Sequence, residues 1–133
     1  MKYLDEKELI EILREEKYPD LEKMKNEFSK WDCTSADDAL VIELKCRRKH
    51  YPTMLIEKPK FEALLARAKE LDYTPLYINS TPTGIYSWDL TKVLIEWKIE
   101  NKHPATTSFG ARGRVPKEVG YLNIEDAEIL KEY

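Results

Sequence analysis

Apolar and polar positions alternate most cleanly over residues 39–47, where Leu40, Ile42, Leu44 and Cys46 fall on one side and Glu43 and Lys45 on the other. A period of two marks a β-strand, whose successive side chains point to opposite faces. Just upstream, the segment running into Trp31 and Cys33 reads as a second strand, with Asp37-Asp38 between the two as a turn. Folded about that turn, Ala36 faces Ala39, Cys33 faces Ile42, Trp31 faces Leu44, and Asp32 lands opposite Glu43. In this register Glu43 and Lys45 emerge together beside Asp32.

A helical period governs other stretches. Leu9, Ile10 and Leu13, with Ile12 widening the arc, predict an amphipathic helix over residues 5–17 that stops before Tyr18-Pro19-Asp20. Glu6 shares the buried side of that helix, because it stands three, four and seven residues before those leucines and isoleucine. Residues 23–35 carry mixed signals, Met24 and Phe28 at helical spacing and Trp31 and Cys33 at strand spacing. A connector containing Tyr51-Pro52 spans 50–58. Pro59 then suits the first turn of a helix over 59–71, striped by Phe61, Leu64, Leu65, Ala68 and Leu71. Residues 75–79 read as a strand, Thr81-Pro82-Thr83-Gly84 as a turn, and 85–90 as the hairpin partner. Residues 92–101 fit both periods; a helix is expected, since Thr91 stands at a capping position and a strand has just ended. A loop over 103–117, a strand over 118–124 and a short C-terminal helical turn complete the pattern. The chain shows no internal repeat, low-complexity tract or domain linker.

Length and charge narrow the class. A chain of 133 residues is one domain's worth. Its 42% hydrophobic content is ordinary, and its 35% charged residues are mixed in sign, so a packed core is expected. No apolar run approaches the ~20 residues of a membrane span, and the N-terminus turns acidic without a signal-peptide core. In the hairpin register Cys33 and Cys46 stand roughly 13 Å apart, beyond disulfide reach, so free thiols and an intracellular, cytoplasmic setting are expected. A net charge of −3 does not by itself suggest nucleic-acid binding. The charge is segregated, however, into a basic run over residues 45–50 and a second cluster of Arg112, Arg114 and Lys117.

Two carboxylates and an amine on one face of an otherwise apolar hairpin are a candidate metal-dependent hydrolase site. Magnesium takes oxygen ligands. Asp32 and Glu43 supply two carboxylates, and the backbone carbonyl of Leu44 is a plausible third ligand. Lys45 would stand beside the metal, placed to orient an attacking water or to stabilise charge on a phosphate. The same Glu-x-Lys spacing recurs at Glu15/Lys17, Glu96/Lys98 and Glu100/Lys102. Only Glu43 and Lys45 combine it with a clear strand, an upstream aspartate in register and a basic run just beyond. A cross-strand salt-bridge cluster on a solvated face is the competing explanation. Asp37 and Asp38 are rival ligands better placed as the turn. His50 and His103 form no motif with either cysteine, Trp31, Trp88 and Trp97 suit packing, and residues 110–114 lack a phosphate-loop ending.

These residues resemble the PD-(D/E)XK nuclease superfamily, on an aspartate before a turn, a strand carrying Ile42-Glu43-Leu44-Lys45, an amphipathic helix and a further strand. The passage Ile42 through Arg47, followed by Tyr51-Pro52-Thr53-Met54-Leu55-Ile56 and Lys60, is similar to small virus- and phage-type nucleases of that group. Trp31 replaces the proline of the superfamily name. The resemblance implies an α/β, restriction-endonuclease-like core with a mixed central β-sheet flanked by helices. One domain is expected over 1–133, its core about 5–90 and its C-terminal elaboration 91–133. It implies magnesium-dependent hydrolysis of DNA phosphodiesters, manganese substituting, by an endonuclease with Asp32 and Glu43 as metal ligands and Lys45 beside the water. Glu6 is the candidate for an additional acid from the first helix. Arg47, Arg48, Lys49 and Lys60 are the candidates for phosphate contact. DNA is the expected partner, no membrane is involved, and a homodimer would serve cutting of both strands. The alternative is a non-catalytic nucleic-acid-binding or assembly module on the same fold; a third class is a small structural protein whose basic run meets a protein partner.

Overall fold

A computed structural model describes residues 3–24, 33–104 and 114–133, with side chains described except at 102–104 and 114. The first helix, α1 (Glu6–Glu16), starts where the sequence pattern starts it. Asp5 caps it reciprocally: its Oδ1 accepts the Glu8 N–H at 2.8 Å, and Glu8 Oε1 accepts the Asp5 N–H at 3.2 Å. Leu9, Ile10 and Leu13 are its buried stripe.

Two short strands, β1 (Glu22–Lys23) and β2 (Cys33–Ser35), lead to the central strand β3 (Leu40–Cys46). The β2–β3 register sets Cys33 opposite Ile42 and Ser35 opposite Leu40, as the hairpin folded about Asp37-Asp38 requires. Asp20 pins that acidic turn, accepting from Ser35 Oγ at 2.6 Å and from the Asp37 N–H at 2.9 Å. These two donors hold the Asp20 carboxyl below its ordinary range, the Ser35 hydroxyl contributing most. Ala39 closes the turn at φ 54, in the left-handed region.

The connector expected over 50–58 contains a strand, β4 (Thr53–Glu57), in which Met54 and Ile56 alternate inward. Helix α2 (Lys58–Leu71) follows at once, with proline in its first turn. Strand β5 (Thr74–Thr81) returns parallel to β3, and β6 (Gly84–Asp89) pairs antiparallel with β5 across Pro82-Thr83.

The helix expected over 92–101 does not form. Residues 92–97 are irregular, and β7 (Lys98–Pro104) begins after them. The period-two signal wins because Val93, Ile95 and Trp97 pack against the core while Leu94 is fully exposed. Gly120 makes room for this: a Cβ there would come within 2.1 Å of Ile95 Cγ2. Thr91, expected as a helix cap, instead donates its hydroxyl to Asp89 Oδ1 at 2.6 Å. Strand replaces both ends of the loop expected over 103–117, since β7 reaches Pro104 and β8 (Arg114–Asn123) starts at Arg114; the middle of that expectation, 105–113, lies outside the described residues. After a 3-10 turn (Ile124–Asp126), a last strand, β9 (Glu128–Glu132), joins the sheet edge beside β6.

The result is a mixed sheet ordered β1-β2-β3-β5-β6-β9 and an antiparallel sheet ordered β4-β8-β7. One core, holding Leu9, Leu13, Ile42, Leu44 and Ile78, lies between α1 and the large sheet. The other, holding Val41, Ile56, Leu64, Tyr77 and Trp88, lies between the opposite face, α2 and the small sheet. No helix among the described residues is long and apolar enough to cross a membrane. No disulfide joins Cys33 and Cys46, the first buried and the second half-buried.

Candidate active site

Alternation along β3 sends Leu44 toward α1 and sends Glu43 and Lys45 toward α2. That second face is not solvated. Glu43 is only 4% exposed, and its Oε1 lies 3.1 Å from the Nζ of Lys60 in the first turns of α2. A cross-strand cluster on a wet surface is therefore not what these residues make. Lys45 is half-buried, one alternation further along the same face. Across the parallel ladder, Tyr77 stands opposite Glu43 and Asn79 opposite Lys45. Asn79 is completely buried, and its Nδ2 has no hydrogen-bond acceptor among the described residues.

Arg47, a candidate for phosphate contact, is half-buried and held by the protein's own acceptors: Nε donates to Asn79 Oδ1 at 2.8 Å, and an Nη donates to the Leu55 carbonyl at 2.8 Å and to Tyr77 Oη at 3.0 Å. The planar guanidinium thus ties β3 and β5 to β4 behind Glu43. Tyr77 in turn donates to the Leu55 carbonyl at 2.9 Å. Burial pushes its hydroxyl up to about 12, against the pull of Arg47 and with a further push from Glu43. Tyr77 and Asn79 were missed as members of this site. Their signal was slight, an asparagine inside an otherwise apolar strand.

Lys60 and Glu43, expected on separate grounds, are brought together. Arg48 and Lys49 are exposed beyond the end of β3. Glu6 is half-buried on α1, which packs on the face opposite Glu43, and its Oε1 lies 3.4 Å from Lys23 Nζ. Asp32 lies outside the described residues, as do Trp31 and Arg112. Among the described residues no group of three or more histidine, cysteine, aspartate or glutamate side chains converges on a point. Asp37 and Asp38 sit in the turn, the latter within 3.3 Å of Ser35 Oγ. Lys117, from the second basic cluster, pairs with Glu57 at 3.0 Å. Trp88 is core, and Trp97 packs on Phe61 with ring centroids 5.2 Å apart.

No protein-family model matches the chain, and no curated protein matches it in sequence. Among solved structures it is similar to Hjc, a Holliday junction resolvase from the archaeal hyperthermophile Archaeoglobus fulgidus. The two share 12% identity at a TM-score of 0.54, over 86% of this chain and 80% of the resolvase. At that identity the likeness is one of fold. The chain has a restriction-endonuclease-like α/β fold, a mixed central sheet flanked by helices.

Proposed function

We propose that the protein is a metal-dependent nuclease hydrolysing DNA phosphodiester bonds, with Asp32, Glu43 and Lys45 as its catalytic residues. The observation that carries this reading is a buried glutamate two residues before a lysine, on the same face of the central strand of a nuclease-like fold. Burying a carboxylate without a compensating cation is costly, and nothing in packing alone calls for one at the middle of a sheet. Lys60 supplies one compensating charge at 3.1 Å.

The donor chemistry fits a hard divalent ion, magnesium or manganese. Glu43 offers a carboxylate and Leu44 a backbone carbonyl, both oxygen donors, and Asp32 is the proposed second carboxylate. Bound magnesium would polarise a phosphoryl oxygen and acidify a water. Lys45 and Lys60 bring two cations to the face where a phosphate's charge would build up. Lys45 is the proposed residue beside the attacking water, and Asn79 Nδ2 is a buried donor ready for an acceptor there. The network of Arg47, Tyr77 and the Leu55 carbonyl fixes the backbone behind these groups, so they are positioned rather than searching. Arg48 and Lys49 are proposed phosphate contacts. Glu6 is proposed only as an outlying acid, given its pairing with Lys23. The narrower assignments also belong to this proposal: a virus- or phage-type member, endonucleolytic, acting on DNA in the cytoplasm, and dimeric where both strands are cut.

The direct test incubates wild type, Glu43→Ala and Lys45→Ala with plasmid and linear DNA, with and without magnesium. Magnesium-dependent cutting by wild type, reduced by at least about a hundredfold in both variants, is expected. Equal cutting by Glu43→Ala, or cutting that ignores the metal, would sink the assignment. The second reading, a nucleic-acid-binding module without chemistry, draws on the Glu43–Lys60 pair, which already balances the buried acid from within the chain. It predicts salt-sensitive DNA retention and no cutting by any of the three proteins.

A further inference from the structure

Beyond the end of β3 lies an open groove of ≈ 560 Å³ lined by Tyr3, Arg48, Lys49, His50, Tyr51 and Thr83, among others. None of its lining residues is acidic, although the chain carries 25 acidic residues against 22 lysines and arginines. Its aromatic residues are exposed, Tyr51 at 50% and Tyr3 at 44%. The Arg48 guanidinium lies 4.4 Å from the centroid of the Tyr3 ring, a cation–π contact that holds a positive charge at the rim. The groove's floor is built. His50 Nδ1 lies 2.9 Å from Thr81 Oγ1 and 2.8 Å from Thr83 Oγ1, and its ring packs on Tyr86 with centroids 5.3 Å apart. These contacts anchor the backbone between Lys49 and Tyr51 to the β5–β6 turn. The half-exposed rings of Tyr51, on the anchored segment, and of Tyr3, before the first helix, stand beside the cations Arg48 and Lys49 and offer an apolar face and a phosphate contact at once. That combination suits an unpaired nucleotide, whose base is free to stack. A base inside a duplex has no free face to offer.

We propose that this groove binds a single-stranded stretch of DNA, a base stacking on Tyr51 while Lys49 meets the adjoining phosphate. The substrate of the Glu43–Lys45 site is then DNA with an unpaired segment. The substrate claim rests on the nuclease reading above; the binding claim does not. Arg48 stands three positions after Lys45, a span of at most about 10 Å, so one strand can pass from the groove to the proposed site within a few nucleotides.

The test is fluorescence anisotropy without divalent ions, so that no cutting intervenes, using a short labelled oligothymidylate and a blunt-ended duplex. Tyr51→Ala is expected to weaken oligothymidylate binding about 5- to 100-fold, the loss of one stacked base. Tyr51→Phe, which keeps the ring, is expected to bind as wild type, and duplex affinity is expected to stay unchanged in both. Lys49→Ala is expected to weaken binding and flatten its salt dependence. The groove assignment is overturned if Tyr51→Ala binds oligothymidylate normally, if Tyr51→Phe loses as much as Tyr51→Ala, or if single strand and duplex weaken equally. The two proposals fail separately. Full cutting by Glu43→Ala removes the nuclease site and leaves the binding result standing. Normal oligothymidylate binding by Tyr51→Ala, with Glu43→Ala inactive, removes the groove alone.

Discussion

Tyr77 shows how tightly the residues behind Glu43 are held. Its hydroxyl is buried, donates to the Leu55 carbonyl and accepts from Arg47, so ionising it would strand a negative charge next to Glu43. The folded-state value is about 12 against 10.0 for an unperturbed tyrosine. Below the unfolded value both states hold the proton, and the stabilisation is fully present. As pH rises from that value toward the folded one, only the unfolded chain releases its proton, so stability falls by up to about 2–3 kcal/mol. Tyr121 is also raised to about 12, by its desolvation and then by its hydrogen bond to Glu100, and it adds a smaller, more solvent-screened loss of the same sign. Urea melts of wild type and Tyr77→Phe at neutral pH and in the alkaline window should therefore diverge in slope. The variant should begin about 1–3 kcal/mol less stable, for the two hydrogen bonds lost with Leu55 and Arg47, and lose less on going alkaline. Parallel pH profiles would show that Tyr77 is not the group responsible. None of this was legible in the sequence, where Tyr77 reads only as an apolar strand residue. The internal bonding of Arg47 was not legible for a related reason: a basic run states charge but not direction, and strand geometry turns Arg47 inward while Arg48 and Lys49 stay out.

Elements whose partners lie close in the chain were the legible ones. Helix α1 carries its own cap and stripe, β3 its own alternation, and the β5–β6 hairpin its own turn, so local signals sufficed. Strands β4 and β9 depend on distant partners, β8 and β6, and their short alternations at Met54/Ile56 and in residues 128–132 were easily read as a connector and a C-terminal helical turn. Residues 92–97 carried both periods, and the extended one packs Val93, Ile95 and Trp97 on the core where Gly120, far along the chain, leaves room for Ile95. Gly84 reveals how closely β9 is applied to β6. A Cβ at Gly84 would stand 2.3 Å from the carbonyl oxygen of Lys131, a backbone atom that cannot swing aside. Gly84→Ala should therefore push β9 off the sheet edge and cost about 1–3 kcal/mol. Hydrogen exchange would show it as faster exchange at the amides of β9 and its β6 partners, with α2 and the β3–β5 ladder protected as before. Unchanged protection of β9 in the variant would mean that the edge has more room than this approach implies.

At the scale of the whole molecule, the proposed site sits where the large sheet, α2 and the small sheet meet, on the side away from α1. The β2–β3 register was readable because side-chain alternation allows few ways to keep Cys33 and Ile42 together. That α2 would deliver Lys60 onto Glu43 was not, because helix packing direction is set by both sheets at once. The arrangement makes the acid on β3 the group through which a divalent ion would act on the stability of the entire fold. An ion that binds the folded chain and not the unfolded one stabilises it by mass action. At a free magnesium concentration ten times the dissociation constant, this is about 1.4 kcal/mol, or a rise of roughly 3–6 °C in the melting midpoint of a chain this size. Wild type should show that rise with magnesium and not with sodium chloride of matched ionic strength, which separates site binding from screening. Glu43→Ala loses a buried carboxylate and its pairing with Lys60, so its starting midpoint will differ; the quantity to compare is the increment that magnesium adds. That increment should vanish in Glu43→Ala and persist in Glu6→Ala, whose side chain lies on the α1 side. An equal increment in wild type and Glu43→Ala would place the ion elsewhere, whereas loss of the increment in Glu6→Ala would bring the first helix into the metal site after all.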